Sequence, residues 1–295
     1  MAMTRVDAAL RPLLDGDGVS PIADIAAARV QRRRASLDRA GVAPAVREVV
    51  EVPEARLRLY EPMDRTATGA LVVVHGGGWV WGGIDEVDVL ARTLANATGR
   101  LTASAGYRLA PEHPYPAPLE DVTAAVAWLT ENTGVDPGDV VLLGLSAGGT
   151  LALAASARFR GTPLAVRAQV LVYPMLDPSL SSASAGRYAT IAPLSRPRAA
   201  WFWSQYAPAG PHAAPMLGDP EGLPPTYVVL AGVDVLHDEG VAYADRLRSA
   251  GVPVAVKVWP GAVHGFLNMA GLAPELCAAA VNDIAGWIRT GTAKP

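Results

Sequence analysis

The chain has 295 residues, of which 51% are hydrophobic and 18% are charged, so it can bury a large core and is not a disordered segment. Its formal net charge of -3 offers no basic surface for nucleic acid. Cys277 is the only cysteine, which excludes an intramolecular disulfide and a cysteine-rich metal site. No apolar signal segment opens the sequence, and no run approaches the roughly 18 apolar residues of a membrane span. We therefore expect a cytoplasmic protein that does not insert into membranes.

The first 45 or so residues mix polar and apolar positions at helical spacing, and we expect them to form part of a lid. The basic run Arg32-Arg33-Arg34 lies in this region and is typical of a solvated helix face. Two β-like segments follow, at residues 46–52 and 56–60, and their closeness predicts an antiparallel pair at a sheet edge.

Short apolar segments then alternate with helical patterns, as expected for strands that are buried on both faces. The predicted strands are residues 71–75, 101–105, 140–145, 168–173, 226–231 and 254–259. This alternation predicts an α/β fold with a mostly parallel central sheet that helices cover on both faces. The C-terminal residues around Cys277 repeat apolar positions every four residues, which predicts an amphipathic helix that contains Cys277 and argues against a catalytic thiol.

Residues 177–221 interrupt the alternation and are rich in Ser, Pro and aromatic side chains. This segment contains Trp201, Phe202, Trp203 and Tyr206, and we expect it to be a second lid element. Two interpretations of the aromatic cluster remain open: it packs the lid onto the sheet, or it lines a substrate pocket.

Ser146 lies within the pattern Gly144-Leu-Ser-Ala-Gly148, directly after a predicted strand and before a predicted helix. A sharp strand-to-helix turn exposes a serine hydroxyl and aims it at a base, which compensates for its weak nucleophilicity. The flanking glycines permit such a turn. Because this pattern also occurs by chance in glycine-rich chains, an ordinary turn is the alternative, and the rest of the sequence decides between them.

The segment His75-Gly-Gly-Gly-Trp79 follows the first predicted parallel strand. Backbone N–H groups in such a loop can converge on the oxyanion of a tetrahedral intermediate, together with the N–H after the nucleophile. Here the donors would be Gly76, Gly77 and Ala147. A phosphate-binding loop is the rival interpretation, but the sequence lacks the lysine of a P-loop pattern.

A serine nucleophile needs a base and an acid, and chain order selects them from the candidates. His264 follows the last predicted strand and is the predicted base, whereas His237 precedes that strand and is predicted to open a helix. Asp234 follows the preceding strand and is the predicted acid. Asp238 and Glu239 are alternatives that better fit the first turn of a helix.

Together these residues resemble the hormone-sensitive-lipase-like carboxylesterases of the α/β-hydrolase fold. The resemblance extends from about residue 71 to residue 266. It is carried by the segments His75-Gly-Gly-Gly-Trp79, Tyr107-Arg-Leu-Ala-Pro-Glu-His-Pro-Tyr-Pro-Ala117, Gly144-Leu-Ser-Ala-Gly-Gly149, Leu223-Pro-Pro225, Asp234-Val-Leu-His-Asp-Glu-Gly240 and His264-Gly-Phe266. It implies a helical cap formed by residues 1–45 and by about 177–221 over a core of residues 46–295. It also implies that residues 107–117 clamp the oxyanion side, with Glu112 and His113 as scaffold.

Three positions depart from the family pattern: Leu145 stands where Asp or Thr is common, Gly106 where Asp is common, and Val235 where Pro is common. These departures put substrate preference and rigidity in doubt, but they remove no catalytic group.

The predicted function is hydrolysis of short- to medium-chain carboxylic esters through an acyl-enzyme, with Ser146, His264 and Asp234 as the triad. No metal or organic cofactor is expected, and the expected partner is a small-molecule ester. Trp79, Trp81 and Leu145 are predicted to line an apolar pocket. The alternatives are a pathway-specific amide, carbamate or lactone hydrolase and a non-catalytic small-molecule receptor; a homodimer also stays open.

Overall fold

Eight strands form one sheet in the computed structural model, which describes residues 6–14, 22–191, 193–207, 209–210 and 213–290. The strands are β1 (Glu48–Val52), β2 (Leu57–Glu61), β3 (Ala70–Val74), β4 (Leu101–Ala105), β5 (Val140–Leu145), β6 (Ala168–Val172), β7 (Thr226–Val233) and β8 (Val254–Val263). Their order across the sheet is β1-β2-β4-β3-β5-β6-β7-β8. β1 and β2 pair antiparallel at one edge, and all pairs from β4 to β8 are parallel. The predicted α/β class and the antiparallel edge are confirmed.

Eight α-helices connect or flank these strands in the described residues. They are α1 (Ile25–Ala40), α2 (Asp88–Thr98), α3 (Ala117–Thr133), α4 (Ala147–Phe159), α5 (Ala183–Arg187), α6 (Arg196–Tyr206), α7 (His237–Ser249) and α8 (Pro274–Thr290). Short 3₁₀ helices include Ile84–Val87 before α2 and Phe266–Asn268 before α8. No described helix has both the length and the apolarity needed to cross a membrane.

The central strands are buried over their whole length: every residue of β3, β4, β5 and β6 is buried. Because successive side chains of a strand point to opposite faces, complete burial requires a covering layer on each face. Helix α2 packs against α8, and α3 packs against α4. The predicted C-terminal helix is α8, which contains Cys277 and buries its side chain.

The two predicted lid regions contain α1 in residues 1–45 and α5 and α6 in residues 177–221. Residues 1–5 and 15–21 of the first region lie outside the described residues. Arg29 of α1 binds the core through Glu112, donating from Nη1 at 2.7 Å and from Nη2 at 2.6 Å. The Arg29 guanidinium also donates to the carbonyls of Val80 and Ala110. One arginine therefore fixes α1 to two core loops.

Parallel pairing places the carboxyl ends of β3, β5, β7 and β8 at the same edge of the sheet. His75 follows β3, Ser146 follows β5, Asp234 follows β7 and His264 follows β8. In open α/β sheets this edge is where ligands bind. The topology thus brings together residues that are up to 189 positions apart in the numbering, from His75 to His264.

Candidate active site

Ser146 occupies the turn between β5 and α4 with φ 54° and ψ -118°, a conformation that non-glycine residues rarely adopt. The turn needs glycine on both sides. A Cβ on Gly148 would lie 2.3 Å from the Val74 carbonyl oxygen, and one on Gly144 would lie 2.2 Å from the Gly148 carbonyl oxygen. The strained serine and the close backbone packing match a nucleophile elbow, so the ordinary-turn interpretation is disfavoured.

Two hydrogen bonds connect Ser146, His264 and Asp234 in a line. Ser146 Oγ lies 2.9 Å from His264 Nε2, and His264 Nδ1 lies 2.8 Å from Asp234 Oδ2. The Asp234 side chain is only 1% exposed, and its Oδ1 accepts a 3.0 Å hydrogen bond from the Leu236 N–H. This fixed carboxylate can hold the imidazole with Nδ1 protonated and Nε2 facing the serine.

The alternative acids have other structural partners. Asp238 Oδ2 accepts a 2.7 Å hydrogen bond from the backbone N–H of Ser184. Glu239 Oε1 accepts from the backbone N–H groups of Leu176 at 2.7 Å and Asp177 at 3.3 Å. Burial raises the pKa of Glu239 well above its usual value. Both residues therefore bind the start of the second lid segment, and the geometry favours Asp234 as the partner of His264.

Among the described residues, no other histidine forms a hydrogen bond with Ser146. His237 begins α7, as predicted, and its Nδ1 lies 2.8 Å from the Ala231 carbonyl oxygen. His75 is buried against Tyr107, with the ring centroids 4.1 Å apart. His212 lies outside the described residues. His264 is thus the histidine that the structure brings to the serine.

The glycine loop after β3 passes beside Ser146. An added Cβ on Gly76 would lie 3.3 Å from Ser146 Cβ, and Gly77 has a φ of +112°. The Gly77 carbonyl accepts hydrogen bonds from the N–H groups of Val80 and Trp81, which closes the loop. Among the described residues, none accepts a hydrogen bond from the N–H groups of Gly76, Gly77 or Ala147. These donors remain available to an oxyanion.

Tyr107 clamps this loop from the core side. Its hydroxyl donates a 3.0 Å hydrogen bond to the His75 carbonyl oxygen. Burial lowers the pKa of His75 to about 4, so its imidazole is neutral near pH 7, and Nδ1–H can donate to the Gly76 carbonyl oxygen at 2.8 Å. His75 and Tyr107 together fix the carbonyl groups of the loop and do not occupy its N–H groups.

A cavity of about 640 Å³ opens onto Ser146 and His264. Trp81 and Leu145 line it, together with Phe202 and Leu194 from the second lid segment. Arg32 also lines the cavity, with its guanidinium carbon 5.3 Å from the centroid of a Trp81 ring. The expectation of a wholly solvated basic run is therefore wrong for Arg32, because α1 turns this residue toward the site.

Trp79 does not line the cavity, so its assignment as a pocket residue is corrected. The side chain is completely buried and stacks on Tyr206, with the ring centroids 4.1 Å apart. Trp203 also packs on Trp79, with the ring centroids 4.6 Å apart and the planes tilted by 51°. The backbone of Trp79 has a positive φ of 61°, and its buried ring packs on α6. Both interpretations of the lid aromatics hold in part, since Phe202 lines the cavity while Trp203 and Tyr206 pack.

The structure adds Tyr173, which the sequence interpretation missed. It follows β6 with a φ of 37°, lines the cavity, and places its ring centroid 4.9 Å from that of His264. Its position after a buried parallel strand is the signal that could have found it, because the other site residues follow strands in the same way. No group of His, Cys, Asp or Glu side chains in the described ranges could hold a metal ion.

The structure shows the contacts of the three residues that depart from the family pattern. Leu145, which precedes Ser146, is 1% exposed, and its carbonyl oxygen lies 3.0 Å from the position of a Cβ on Gly76. Gly106 donates a 2.8 Å backbone hydrogen bond to the Arg56 carbonyl. Val235 is fully buried, and its carbonyl accepts from the Ser184 hydroxyl at 3.0 Å.

Comparison with known proteins gives one consistent result. A family model described as the alpha/beta hydrolase fold matches residues 71–268. Carboxylesterase NlhH of Mycobacterium tuberculosis is 35% identical, with 98% of this chain and 97% of the relative covered. Ethyl acetate hydrolase of Pseudomonas putida is 37% identical over 74% of this chain and 73% of the relative. Carboxylic ester hydrolase LipN of M. tuberculosis is 38% identical over 72% of this chain, but this chain spans only 61% of it.

Solved structures agree with these relatives. A hyperthermophilic esterase from the archaeon Pyrobaculum calidifontis superposes with a TM-score of 0.88 at 33% identity, covering 98% of this chain and 100% of that one. The similarity therefore includes the two predicted lid regions as well as the sheet.

Proposed function

Because the chain belongs to the α/β-hydrolase family and is a carboxylic ester hydrolase, we propose that it cleaves short- to medium-chain esters with Ser146 as nucleophile, His264 as base and Asp234 as the orienting acid. The observation that carries this assignment is the line of two hydrogen bonds from Ser146 Oγ through His264 to Asp234. A serine, a base and an orienting carboxylate in this geometry support acyl transfer.

In the proposed mechanism, His264 Nε2 takes the proton of Ser146 as Oγ attacks the ester carbonyl carbon. The N–H groups of Gly76, Gly77 and Ala147 stabilise the negative charge on the carbonyl oxygen, and one such donor typically contributes about 3 kcal/mol to transition-state stabilisation. His264 then returns the proton to the leaving alcohol. Water attacks the acyl-enzyme with His264 again as base, which releases the acid and restores Ser146. No step requires a metal or a cofactor.

We propose that α1 and residues 177–221 form a cap over the core. The support is that residues of both segments, among them Arg32 and Phe202, line the same cavity as Ser146. A cap sequesters the acyl-enzyme and limits the size of the acyl group. The name of the Pseudomonas putida relative, ethyl acetate hydrolase, supports a preference for small esters.

We expect Ser146→Ala to lower kcat for p-nitrophenyl esters by several orders of magnitude because it removes the attacking oxygen while leaving the turn. Esters of two to about twelve acyl carbons should be assayed on the purified protein and on the variant, with circular dichroism as the folding control. A rate peak at short or medium chains that disappears in the variant is the expected result. Near wild-type turnover in folded Ser146→Ala would contradict the assignment.

The same assay addresses the alternative functions. Cleavage of amides, carbamates or lactones with negligible ester turnover would replace the ester assignment with a pathway-specific hydrolase. Equal background rates in both proteins toward every substrate would favour a binding protein. The cytoplasmic location and the homodimer stay predictions, which cell fractionation and analytical ultracentrifugation can test.

A further inference from the structure

One side of the cavity is polar and differs from the aromatic side formed by Trp81 and Phe202. We define the polar wall as Ser36, Glu86 and Asn268, all of which line the cavity. Glu86 lies in the 3₁₀ helix before α2, and Asn268 ends the 3₁₀ helix after His264. These two residues also line a smaller cavity of about 110 Å³ between α2 and α8. They therefore stand together where the two cavities meet.

Asn268 of the polar wall has a buried side-chain oxygen. Its Oδ1 is buried and receives no hydrogen bond from any of the residues that the structure describes. Its backbone is fixed, since the Asn268 N–H donates a 3.1 Å hydrogen bond to the Gly265 carbonyl oxygen. A buried amide oxygen without a donor is energetically costly, so a substrate group that donates a hydrogen bond to it would remove that cost.

Glu86 supplies a second acceptor beside it. The side chain is half-buried, and burial raises the pKa of Glu86 while a hydrogen bond from Ser36 opposes that rise. A carboxylate and an amide oxygen on one wall are suited to a group that donates hydrogen bonds. A neutral hydroxyl fits this wall, whereas a carboxylate on the substrate would meet two acceptors and be repelled.

The geometry points to a substrate class: the preferred ester carries a hydroxyl group on its acyl or its alcohol part, and Asn268 and Glu86 accept its hydrogen bond. This inference rests on the proposed function and narrows it. A site that hydrogen-bonds a substrate hydroxyl discriminates strongly against the analogue without it, because the buried acceptors are then left unpaired.

The test uses two matched pairs of esters. Butyrate and 3-hydroxybutyrate p-nitrophenyl esters differ in the acyl part, and propyl and 3-hydroxypropyl butyrates differ in the alcohol part. We expect the hydroxylated member of one pair to have a kcat/KM about tenfold higher or more, and the responding pair identifies the side of the ester that contacts the wall. Asn268→Leu, of similar size, should reduce that ratio toward one. Asn282→Leu, on the exposed side of α8, is the control and should leave the ratio unchanged.

Binding to Ser146→Ala separates this inference from the proposed function. Calorimetry on this variant measures the affinity for the same four esters without turnover. If Ser146→Ala binds a hydroxylated ester preferentially and Asn268→Leu in the same background abolishes that preference, the polar wall binds the hydroxyl group. This conclusion holds even if the protein does not hydrolyse simple esters. Two results would overturn the inference. One is a ratio of hydroxylated to plain ester near one in both pairs, for kcat/KM and for affinity; the other is a preference that persists in folded Asn268→Leu.

Discussion

At the scale of single residues, the site depends on backbone atoms packed too closely for any side chain. Gly148 is the clearest example, because a Cβ there would lie 2.3 Å from the Val74 carbonyl oxygen and 2.4 Å from that of His75. Both neighbours are main-chain atoms of the strand end that begins the oxyanion loop. Neither can move without displacing the loop itself.

We therefore expect Gly148→Ala to lose most esterase activity and to unfold at a lower temperature. Gly286→Ala is the matched control, since it is also a helical glycine but has no atom within 4 Å of an added Cβ. That control should keep its activity and gain up to about 1 kcal/mol of stability. Thermal unfolding and ester turnover of the two variants check both parts. An active, stable Gly148→Ala would show that the loop can shift at little cost.

His75 supplies a pH-dependent prediction. Its pKa is about 4 in the folded protein against 6.5 in an unfolded chain. Between these values the unfolded state binds more protons, so the His75 contribution to stability falls as the pH falls from 6.5 to 4. The full effect amounts to about 3 kcal/mol.

His75→Gln removes this titration and keeps a side chain that can donate a hydrogen bond. Denaturant unfolding at pH 7 and at pH 4 measures the difference in unfolding free energy between wild type and variant. From pH 7 to pH 4 we expect this difference to change by about 3 kcal/mol in favour of the variant. A difference that stays constant with pH would mean that buried His75 takes up its proton without unfolding.

At the scale of elements, the second lid segment is bonded to the loop that carries Asp234. The buried Ser184 of α5 donates from Oγ to the Val235 carbonyl at 3.0 Å and accepts from the Asp238 N–H at 3.0 Å. Its own N–H donates to Asp238 Oδ2 at 2.7 Å. Val235 directly follows Asp234, so α5 and the acid share one hydrogen-bond network.

We expect Ser184→Ala to lower kcat more than it changes KM, by roughly tenfold, because Asp234 would orient His264 less well. Ser184→Thr should restore part of the rate by restoring the hydroxyl. Ser204→Ala, on the exposed side of α6, is the control. If Ser184→Ala loses stability together with activity and Ser184→Thr restores neither, Ser184 has a purely structural role.

At the scale of the whole molecule, Trp79 and Trp81 lie in one loop but contact different parts of the structure. Trp79 is fully buried against Tyr206 and Trp203 of α6, whereas Trp81 lines the cavity. Trp79 holds α6, part of the proposed cap, on the core, and Trp81 shapes the cavity that opens onto Ser146.

Trp79→Ala should lower the free energy of unfolding by about 3 to 5 kcal/mol, because it truncates a fully buried side chain. Trp81→Ala should shift the preferred acyl chain length instead, because it enlarges the cavity. Denaturant unfolding and the p-nitrophenyl ester series on both variants test this division. An unchanged chain-length profile for Trp81→Ala would remove that residue from the pocket.

The sequence by itself determined the sheet, its antiparallel edge and the chain order of Ser146, Asp234 and His264. These features follow from local signals: apolar strands alternating with helices, a glycine-flanked serine, and polar residues at strand ends. Such signals involve residues close together in the sequence, so they can be recognised without knowledge of the tertiary packing. The resemblance to known esterases rests on the same segments.

Only the tertiary structure decided which side chains face the cavity. Trp79 and Trp81 are two positions apart in one loop, and nothing in their spacing shows that the first turns into the core. Arg32, Tyr173 and Asn268 reach the site from distant parts of the chain, and Asp238 and Glu239 became lid contacts instead of candidate acids. The direction of a side chain in a loop depends on backbone turns and on the elements packed above it, so it is fixed only when the layers assemble.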